Sequence, residues 1–387
     1  METPVVGVVG AGQLARMMQQ AAIPLGVPLR LLAETASSSA AQVIADSQVG
    51  DYADLDTLRA WASGVDVVTF DHEHVPTAHL EALAVDGVAC RPGPAALVHA
   101  QDKVVMRKRL AELEVPCPRN RVVDSAKAVA DFAADGDGWP VVLKTATGGY
   151  DGKGVWIVDD SDQAAGVIRV ASAAAVLLAE DRVDFVRELS AVVARAPSGQ
   201  IAAYPVVETT QTNGVCTEVT SPAPDLEPVL ALEAQQVAMT IAAELDVTGI
   251  LAVELFETRD GRIMVNELAM RPHNTGHWTI DGAVTSQFEN HLRAVLDLPL
   301  GSPKARVRWT VMVNILGSSA PPLFDGYLHV QARDPEIRVH LYGKDVTPGR
   351  KVGHVTAYGD SLDEVKQRAR HAASWFEGKL SDDGDEG

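Results

Sequence analysis

The chain has few cysteines, too few basic residues to balance its acids, and no apolar run long enough to cross a bilayer. Its three cysteines, Cys90, Cys117 and Cys216, are scattered without metal-ligand spacing, which excludes a cysteine-built metal site and leaves reduced thiols in the cytoplasm as the expectation. Lys and Arg number 33 against 52 Asp and Glu, a formal net charge of -19, and this argues against a nucleic-acid backbone or an anionic membrane as the main partner. Anionic small substrates stay open, because local clusters of Lys and Arg override the global sign. No targeting segment is expected, since Met1 to Pro4 leads straight into an apolar strand. No internal repeat is found. What remains is the composition of a soluble globular protein, 47% hydrophobic and 22% charged, in a 387-residue chain too long for one ordinary core. Two or three domains are expected.

The stretch that organises the rest is TGGYDGKG, Thr147 to Gly154, which follows an apolar strand from Val141 to Lys144. Gly148, Gly149, Gly152 and Gly154 let the backbone fold back so that successive N–H groups surround an anion. Lys144 and Lys153 add two cations, while Tyr150 and Asp151 sit at the tip, where they would meet a second substrate. The Walker pattern is absent, because Val155 to Val158 reads as a strand where a helix would have to begin. A Gly-rich hairpin closing over nucleotide phosphates is the reading, and it calls for acidic residues elsewhere to hold a metal.

The amino-terminal strand, Val5 to Val9, ends in GAGQLARM, whose Gly10, Gly12 and Ala15 match a G-x-G-x-x-A dinucleotide fingerprint. Glu34, after a second strand, stands about where a ribose-binding acid would, so this segment read alone points to NAD. A helix at Leu55 to Ala62 and a strand at Val65 to Phe70 continue the alternation, and His72, Glu73 and His74 follow as a polar loop at the ligand-binding edge. Lys103 to Glu114 reads as a basic amphipathic helix. A small α+β module follows, and from Glu188 the pattern turns antiparallel. Glu208 to Pro228 reads as one long irregular stretch, and a tail unit holds a strand at Ala305 to Ile315 and a helix at Ser361 to Trp375.

Ile250 to Glu257 and Arg262 to Glu267 flank Asp260-Gly261, a strong hairpin signal. A two-residue loop pairs Arg259 with Arg262, and stepping outward pairs Glu254 with Glu267. Like charges opposed on apolar strands destabilise a sheet, and a divalent cation between them removes the conflict. Oxygen ligands, with Asn266 beside them, suit Mg²⁺ bridging to phosphates. The polar loop that follows, with Arg271, His273, Asn274 and His277, is the candidate site of the reacting substrate.

Taken together, GAGQLARM, TGGYDGKG, NELAMRPHNTGHWT, SQFENHLRA and PGRKVGH make the chain resemble the ATP-grasp superfamily, and within it the 5-(carboxyamino)imidazole ribonucleotide synthetases of purine biosynthesis. The resemblance implies an α/β fold: a Rossmann-like domain that binds no dinucleotide at residues 1–97, an ATP-grasp domain at 98–300 with a small α+β lid at about 117–184 and an antiparallel α+β central part, a carboxy-terminal domain at 301–377, and a disordered acidic tail at 378–387. It implies ATP with one or two Mg²⁺ ions, and nucleotide contacts from Lys103, Lys144, Gly149, Tyr150, Asp151, Gly152, Lys153, Gly154, Glu180, Asp181, Arg182, Val183, Glu188, Gln211, Asn266 and Glu267. Glu254 and Glu267 match the magnesium ligands. Tyr150, Asp151, Lys153, Arg271, His273 and Lys351 match positions used for the ribonucleotide and for carboxyl transfer.

The chain departs from the family pattern at Thr209, Gln211, Met270 and His74. The implied substrates are bicarbonate and 5-aminoimidazole ribonucleotide, and the implied assembly is a cytoplasmic homodimer with neither nucleic acid nor membrane as partner. The rivals are another ATP-grasp carboxylate–amine ligase or formate-using transformylase, a non-catalytic nucleotide sensor, and an NAD-dependent oxidoreductase.

Overall fold

Residues 3–149, 153–171, 175–318 and 322–380 are described by the computed structural model. The first ninety residues build a five-stranded parallel sheet in the order Asp46–Val49, Leu29–Ala33, Val6–Val9, Val67–Phe70, Ala89–Cys90. A parallel sheet is covered on both faces, so its inner strands are largely apolar, and every residue of Val6–Val9 and Val67–Phe70, Thr69 included, is buried. The edge strand Asp46–Val49 has the sequence DSQV and is largely exposed, which is why periodicity did not reveal it. Helix Gln13–Leu25 packs Leu14, Ala15, Met17, Met18 and Ala22 inward and ends at Gly26, a left-handed cap with φ 66°.

The amino end of that helix is where a Rossmann unit would seat a pyrophosphate. Here the position is filled from within the chain. Asp71, just beyond Val67–Phe70, accepts hydrogen bonds from the Gly12 and Ala15 N–H groups at 2.9 and 2.7 Å. A Cβ on Gly12 would lie 2.3 Å from Asp71 Oδ2, so the glycine makes room for that carboxylate. Glu34, the supposed ribose acid, faces His72 Nε2 at 3.6 Å. The dinucleotide reading of the fingerprint is thereby corrected: its anion site caps the helix with an internal acid.

A second sheet is small and antiparallel, in the order Asn120–Val123, Leu177–Asp181, Val141–Thr145, Val155–Val158. Helices Ala126–Ala134 and Ser161–Val170 cover it, each started by a capping side chain, Ser125 and Asp160 respectively. Its core gathers Val129, Phe132, Leu143, Ala164 and Ala179. The glycine hairpin joins Val141–Thr145 to Val155–Val158.

The third sheet is antiparallel and carries nine strands, of which Phe185–Arg195 pairs with Gly249–Thr258, and that strand with Ile263–Ala269. Alternation sorts the two faces. Leu189, Ala191, Val193, Leu251, Val253, Leu255 and Val265 point into the core shared with helix Pro228–Glu244, leaving Glu188, Ser190, Glu254 and Glu267 on the opposite face.

Two expectations change in this sheet. The stretch read as irregular from Glu208 holds strands Val207–Thr212 and Val215–Ser221, joined by Asn213 (φ 53°) and Gly214 (φ 77°). An Asn-Gly pair with both residues left-handed is the favoured two-residue hairpin turn, and the polar strands flanking it masked the signal. The tail strand is Trp309–Leu316, and it pairs with Val215–Ser221, so Lys351–Gly359 and Arg338–Leu341 continue the same sheet. Helix Leu362–Phe376 closes that end by burying Val365, Ala369, Ala372, Ala373 and Phe376. No helix among the described residues is long and apolar enough to cross a membrane. Of the tail expected to be disordered at 378–387, Gly378 and Lys379 instead bond back to the last helix at the carbonyls of Trp375 and Ser374, and residues 381–387 lie outside the described residues.

Candidate active site

Glu254 does face Glu267, though the route differs from the expected one. Near the turn the pairs are Glu257 with Ile263, Phe256 with Met264 and Leu255 with Val265, one residue off the register that a two-residue loop at Asp260-Gly261 would give. The turn is wider: the Thr258 hydroxyl accepts the Arg262 N–H at 3.0 Å and bonds Asp260 Oδ1 at 2.5 Å. A bulge at Asn266 then restores the original register, so Glu254 meets Glu267. Bulges re-aim side chains beside active sites, and this one turns two consecutive residues toward one cleft. Asn266 Oδ1 accepts from Lys144 Nζ at 3.0 Å, and Glu267 Oε1 pairs with Lys103 Nζ at 3.0 Å.

The two carboxylates are not equivalent. Glu267 has Lys103 as a direct counterion, whereas Glu254, among the described residues, stands 3.5 Å from His273 Nε2. Its removal from water, then the charges of Glu267 and Glu188, push the Glu254 carboxyl up to about 7, against the opposing pull of Lys351 and Lys144. Burial also raises Glu188, two residues before Ser190, the cross-strand partner of Glu254.

Above this face stands the glycine hairpin. The Thr145 N–H bonds Gly154 O at 2.9 Å, and Asp102 bridges to Thr147 while the Lys103 N–H bonds Ala146 O at 2.8 Å, so the hairpin's base is tied to the start of helix Lys103–Glu112. Gly149 and Gly154 have φ near +78° and +72°, and a Cβ on either would come within 2.6 Å of Lys153 O or Thr145 Oγ1. Only glycine fits at both positions. Lys153 is exposed, while Tyr150, Asp151 and Gly152, expected at the tip, lie outside the described residues.

Beneath the hairpin the chain forms a closed polar ring that was not anticipated. Lys144 Nζ pairs with Glu180 Oε2 at 2.7 Å, and Glu180 Oε1 takes Arg107 Nε at 2.6 Å. Arg107 also donates to the carbonyls of Val265 (3.2 Å) and Asn266 (2.7 Å). Arg107 and Glu180 are both buried. The expected nucleotide connector, Glu180 to Val183, therefore turns the Glu180 side chain inward, and Asp181 is held by a two-pronged bond to Arg119, 2.7 Å on each oxygen. Arg182, exposed, and Val183, half-buried, follow in the short connection into Phe185–Arg195. The helical phase of Met106, Arg107 and Leu110, all buried, was the available signal for Arg107.

Gln211 lies on Val207–Thr212 beside a register shift, two residues on from Thr209, which pairs with Glu188. The polar loop adds the remaining parts. Arg271 Nε pairs with Glu73 Oε2 at 2.7 Å, bringing the amino-terminal sheet's edge loop to the site. Gln287, another residue not singled out from the sequence, accepts the His273 N–H at 2.9 Å and donates back to His273 O at 2.7 Å. His273 Nδ1 bonds Thr275 Oγ1 at 2.9 Å, and that hydroxyl meets Ser190 Oγ at 2.7 Å. Burial, then Arg271 and Lys351, hold His273 well below the usual histidine range, so the ring is neutral near pH 7. Lys351 begins the strand Lys351–Gly359 opposite Leu316, and its charge acts on both Glu254 and His273. All three parts of the chain thus converge on one cleft.

A glycine hairpin over two opposed carboxylates on an antiparallel sheet defines an ATP-grasp protein. The ATP-grasp domain model matches residues 108–288, the ribonucleotide synthetase preATP-grasp domain residues 1–101, and the phosphoribosylaminoimidazole carboxylase C-terminal domain residues 310–368. N5-carboxyaminoimidazole ribonucleotide synthase of Mycobacterium tuberculosis is 54% identical over 377 residues, 96% of this chain and 88% of that protein. The enzyme of the same name from Corynebacterium ammoniagenes is 50% identical, covering 96% and 92%. Among solved structures, the ADP complex of an N5-carboxyaminoimidazole ribonucleotide synthetase aligns with a TM-score of 0.89 at 34% identity, over 98% of this chain and 99% of the other. The Aspergillus clavatus enzyme with ADP and 5-aminoimidazole ribonucleotide aligns at 0.87 and 31%, over 97% and 99%. The chain belongs to the N5-carboxyaminoimidazole ribonucleotide synthase family, whose members are ATP-dependent ligases.

Proposed function

We propose that this chain carboxylates 5-aminoimidazole ribonucleotide with bicarbonate at the expense of ATP, giving N5-carboxyaminoimidazole ribonucleotide, ADP and phosphate in de novo purine biosynthesis leading to IMP. The observation that carries the reading is the opposed pair Glu254 and Glu267, placed by a bulge beneath the glycine hairpin and within reach of Arg271, His273 and Lys351.

The donor set fits magnesium. Glu254, Asn266 and Glu267 offer oxygen only, and the raised Glu254 carboxyl marks a place short of positive charge. No group of three or more His, Cys, Asp or Glu that could hold an ion forms among the described residues, so the two carboxylates would share Mg²⁺ with nucleotide phosphates. When bound, the ion supplies charge neutralisation at the transferring phosphoryl group.

The rest of the chemistry belongs to the chain's own side chains. Lys144 and Lys103, one on the lid strand and one at a helix start tied to the hairpin, bind and orient the phosphates. Arg271, fixed by Glu73, offers its guanidinium to bicarbonate, whose oxygen attacks the terminal phosphorus to give carboxyphosphate. Carboxyphosphate breaks down to CO₂ and phosphate, the phosphate takes the proton that the amine loses as the N–C bond forms, and neutral His273, oriented by Thr275 and Gln287, is placed to accept a hydrogen bond that orients the amine. Lys351 on the carboxy-terminal strand and Lys153 on the hairpin serve the ribonucleotide, and the family likeness supports the same role for Tyr150 and Asp151. The hairpin excludes water that would otherwise hydrolyse carboxyphosphate.

The proposal includes a cytoplasmic homodimer; three free thiols support the compartment, and the family likeness is the support for the assembly. Bicarbonate labelled with heavy oxygen tests the route: label passes into released phosphate only when ATP, Mg²⁺ and aminoimidazole ribonucleotide are all present. Turnover with formate or an amino acid in place of bicarbonate would favour the rival ligases instead.

A further inference from the structure

We infer that Arg107 is a positioning residue for the nucleotide site, keeping Lys144 electrostatically available to phosphate by holding half of the Glu180 carboxylate. The inference deepens the reading of Lys144 as a phosphate ligand and rests on it.

The geometry divides Glu180 between two cations. Oε1 goes to Arg107 at 2.6 Å and Oε2 to Lys144 at 2.7 Å. All three side chains are at least nine-tenths buried, so solvent does little to screen them. A lysine paired alone with a buried glutamate would present a neutral unit to an incoming polyanion. With Arg107 added, the trio carries one net positive charge, and the ammonium of Lys144, which bonds Glu180 and Asn266 with two of its three protons, is its member nearest the hairpin, on the strand that leads into it. Arg107 itself cannot move toward a ligand, because its other nitrogens are committed to the carbonyls of Val265 and Asn266. Those carbonyls belong to the bulge that turns Asn266 and Glu267 into the cleft. One guanidinium thus sets the charge of the phosphate lysine and braces the strand carrying the carboxylates.

A purely structural arginine and a charge-setting one differ in the pattern of variants. Binding of ADP, with and without Mg²⁺, is measured by calorimetry on the full chain, with circular dichroism to confirm folding. Arg107→Met leaves Lys144 facing Glu180 alone, and ADP affinity falls by about tenfold or more. Glu180→Gln leaves two cations and binds ADP more tightly than Arg107→Met does. Arg107→Met with Glu180→Gln returns the net charge to one and restores affinity to within about threefold of the parent. Arg107→Lys keeps the charge and holds affinity to the same degree, which also covers the case in which the methionine variant fails to fold. Affinity for 5-aminoimidazole ribonucleotide is unchanged throughout. Undiminished ADP binding in Arg107→Met, or a double variant as weak as that single one, overturns the inference. Failure of the parent protein to bind ADP at all would instead remove the nucleotide reading beneath it.

Discussion

Replacing Glu254 by glutamine should stabilise the metal-free protein while abolishing its activity, and the size of the gain depends on pH in a calculable way. The folded carboxyl stands near 7 against an ordinary 4.5, so folding disfavours its ionised form. For an acid raised in this way, the penalty is absent below about pH 4.5, grows as the pH climbs through the interval, and is complete above 7. Two and a half pH units correspond to about 3 kcal/mol, an upper figure for a side chain that keeps 31% of its exposure. Glu254→Gln removes the penalty without changing shape. Its melting temperature should exceed that of the parent at pH 8, and the two should converge near pH 4.5. Glu267→Gln should gain less, because it lifts only the Glu267 part of the penalty on Glu254 and leaves Lys103 without its partner. Scanning calorimetry from pH 4.5 to 8.5 with chelator present measures both. The same linkage predicts that loading Mg²⁺ with nucleotide releases about one proton at pH 6 and almost none at pH 8.5, readable by calorimetry in buffers of different ionisation enthalpy. A Glu254→Gln variant less stable than its parent at pH 8 would refute the electrostatic reasoning.

Other outcomes follow from the same geometry. Amide exchange at Thr147 to Gly149 and at Lys153 and Gly154 should slow when ATP and Mg²⁺ bind, and equal rates with and without nucleotide would rule out the hairpin as the phosphate clamp. Asp71→Ala should destabilise the amino-terminal sheet by about 1–2 kcal/mol, by leaving the Gly12 and Ala15 N–H groups without an acceptor, and Asp71→Asn should cost about half as much, as denaturant titration would show. Lys351→Ala should raise the Michaelis constant for aminoimidazole ribonucleotide at least about tenfold and that for ATP far less, since this lysine reaches the cleft from the carboxy-terminal strand; the reverse split would move it to the nucleotide.

What could be read in the residues, and what could not, divides along the range of the physics. Glycine and lysine spacing at residues 144–154 identified the hairpin because backbone sterics act over a few residues, and the left-handed glycines confirm why no other residue serves. The Glu254–Glu267 pair was legible for a less secure reason. A wider turn and a bulge at Asn266 shift the register by one residue in opposite directions, so an ideal hairpin count reached the right pair through two cancelling departures. The Gly12 site shows the opposite failure. Its fingerprint is local and genuine, but the group that fills it, Asp71, arrives from a strand 59 residues away, and nothing in a one-dimensional pattern distinguishes an internal carboxylate from a bound phosphate.

Arg107 was hidden for a related reason, and its case shows how the site holds together. On its own helix it reads as one more basic residue beside Lys103, Lys108 and Arg109. Its significance comes from partners on two distant strands, Glu180 on Leu177–Asp181 of the small module and the Val265 and Asn266 carbonyls on Ile263–Ala269 of the central sheet. Glu73 with Arg271, and Lys351 with the field on Glu254 and His273, repeat the pattern: a charge from one sheet is fixed or tuned by a charge from another. Each such contact keeps an ionised group in place at low dielectric without neutralising the whole cleft, because the acids and bases are shared among three or more partners. The cleft thereby keeps Lys144, Lys103, Arg271 and Lys351 around two carboxylates in a chain whose net charge is -19. A protein repelling anions over most of its surface can then accept several at one place, provided the small module, the central sheet and the amino-terminal edge loop are all docked.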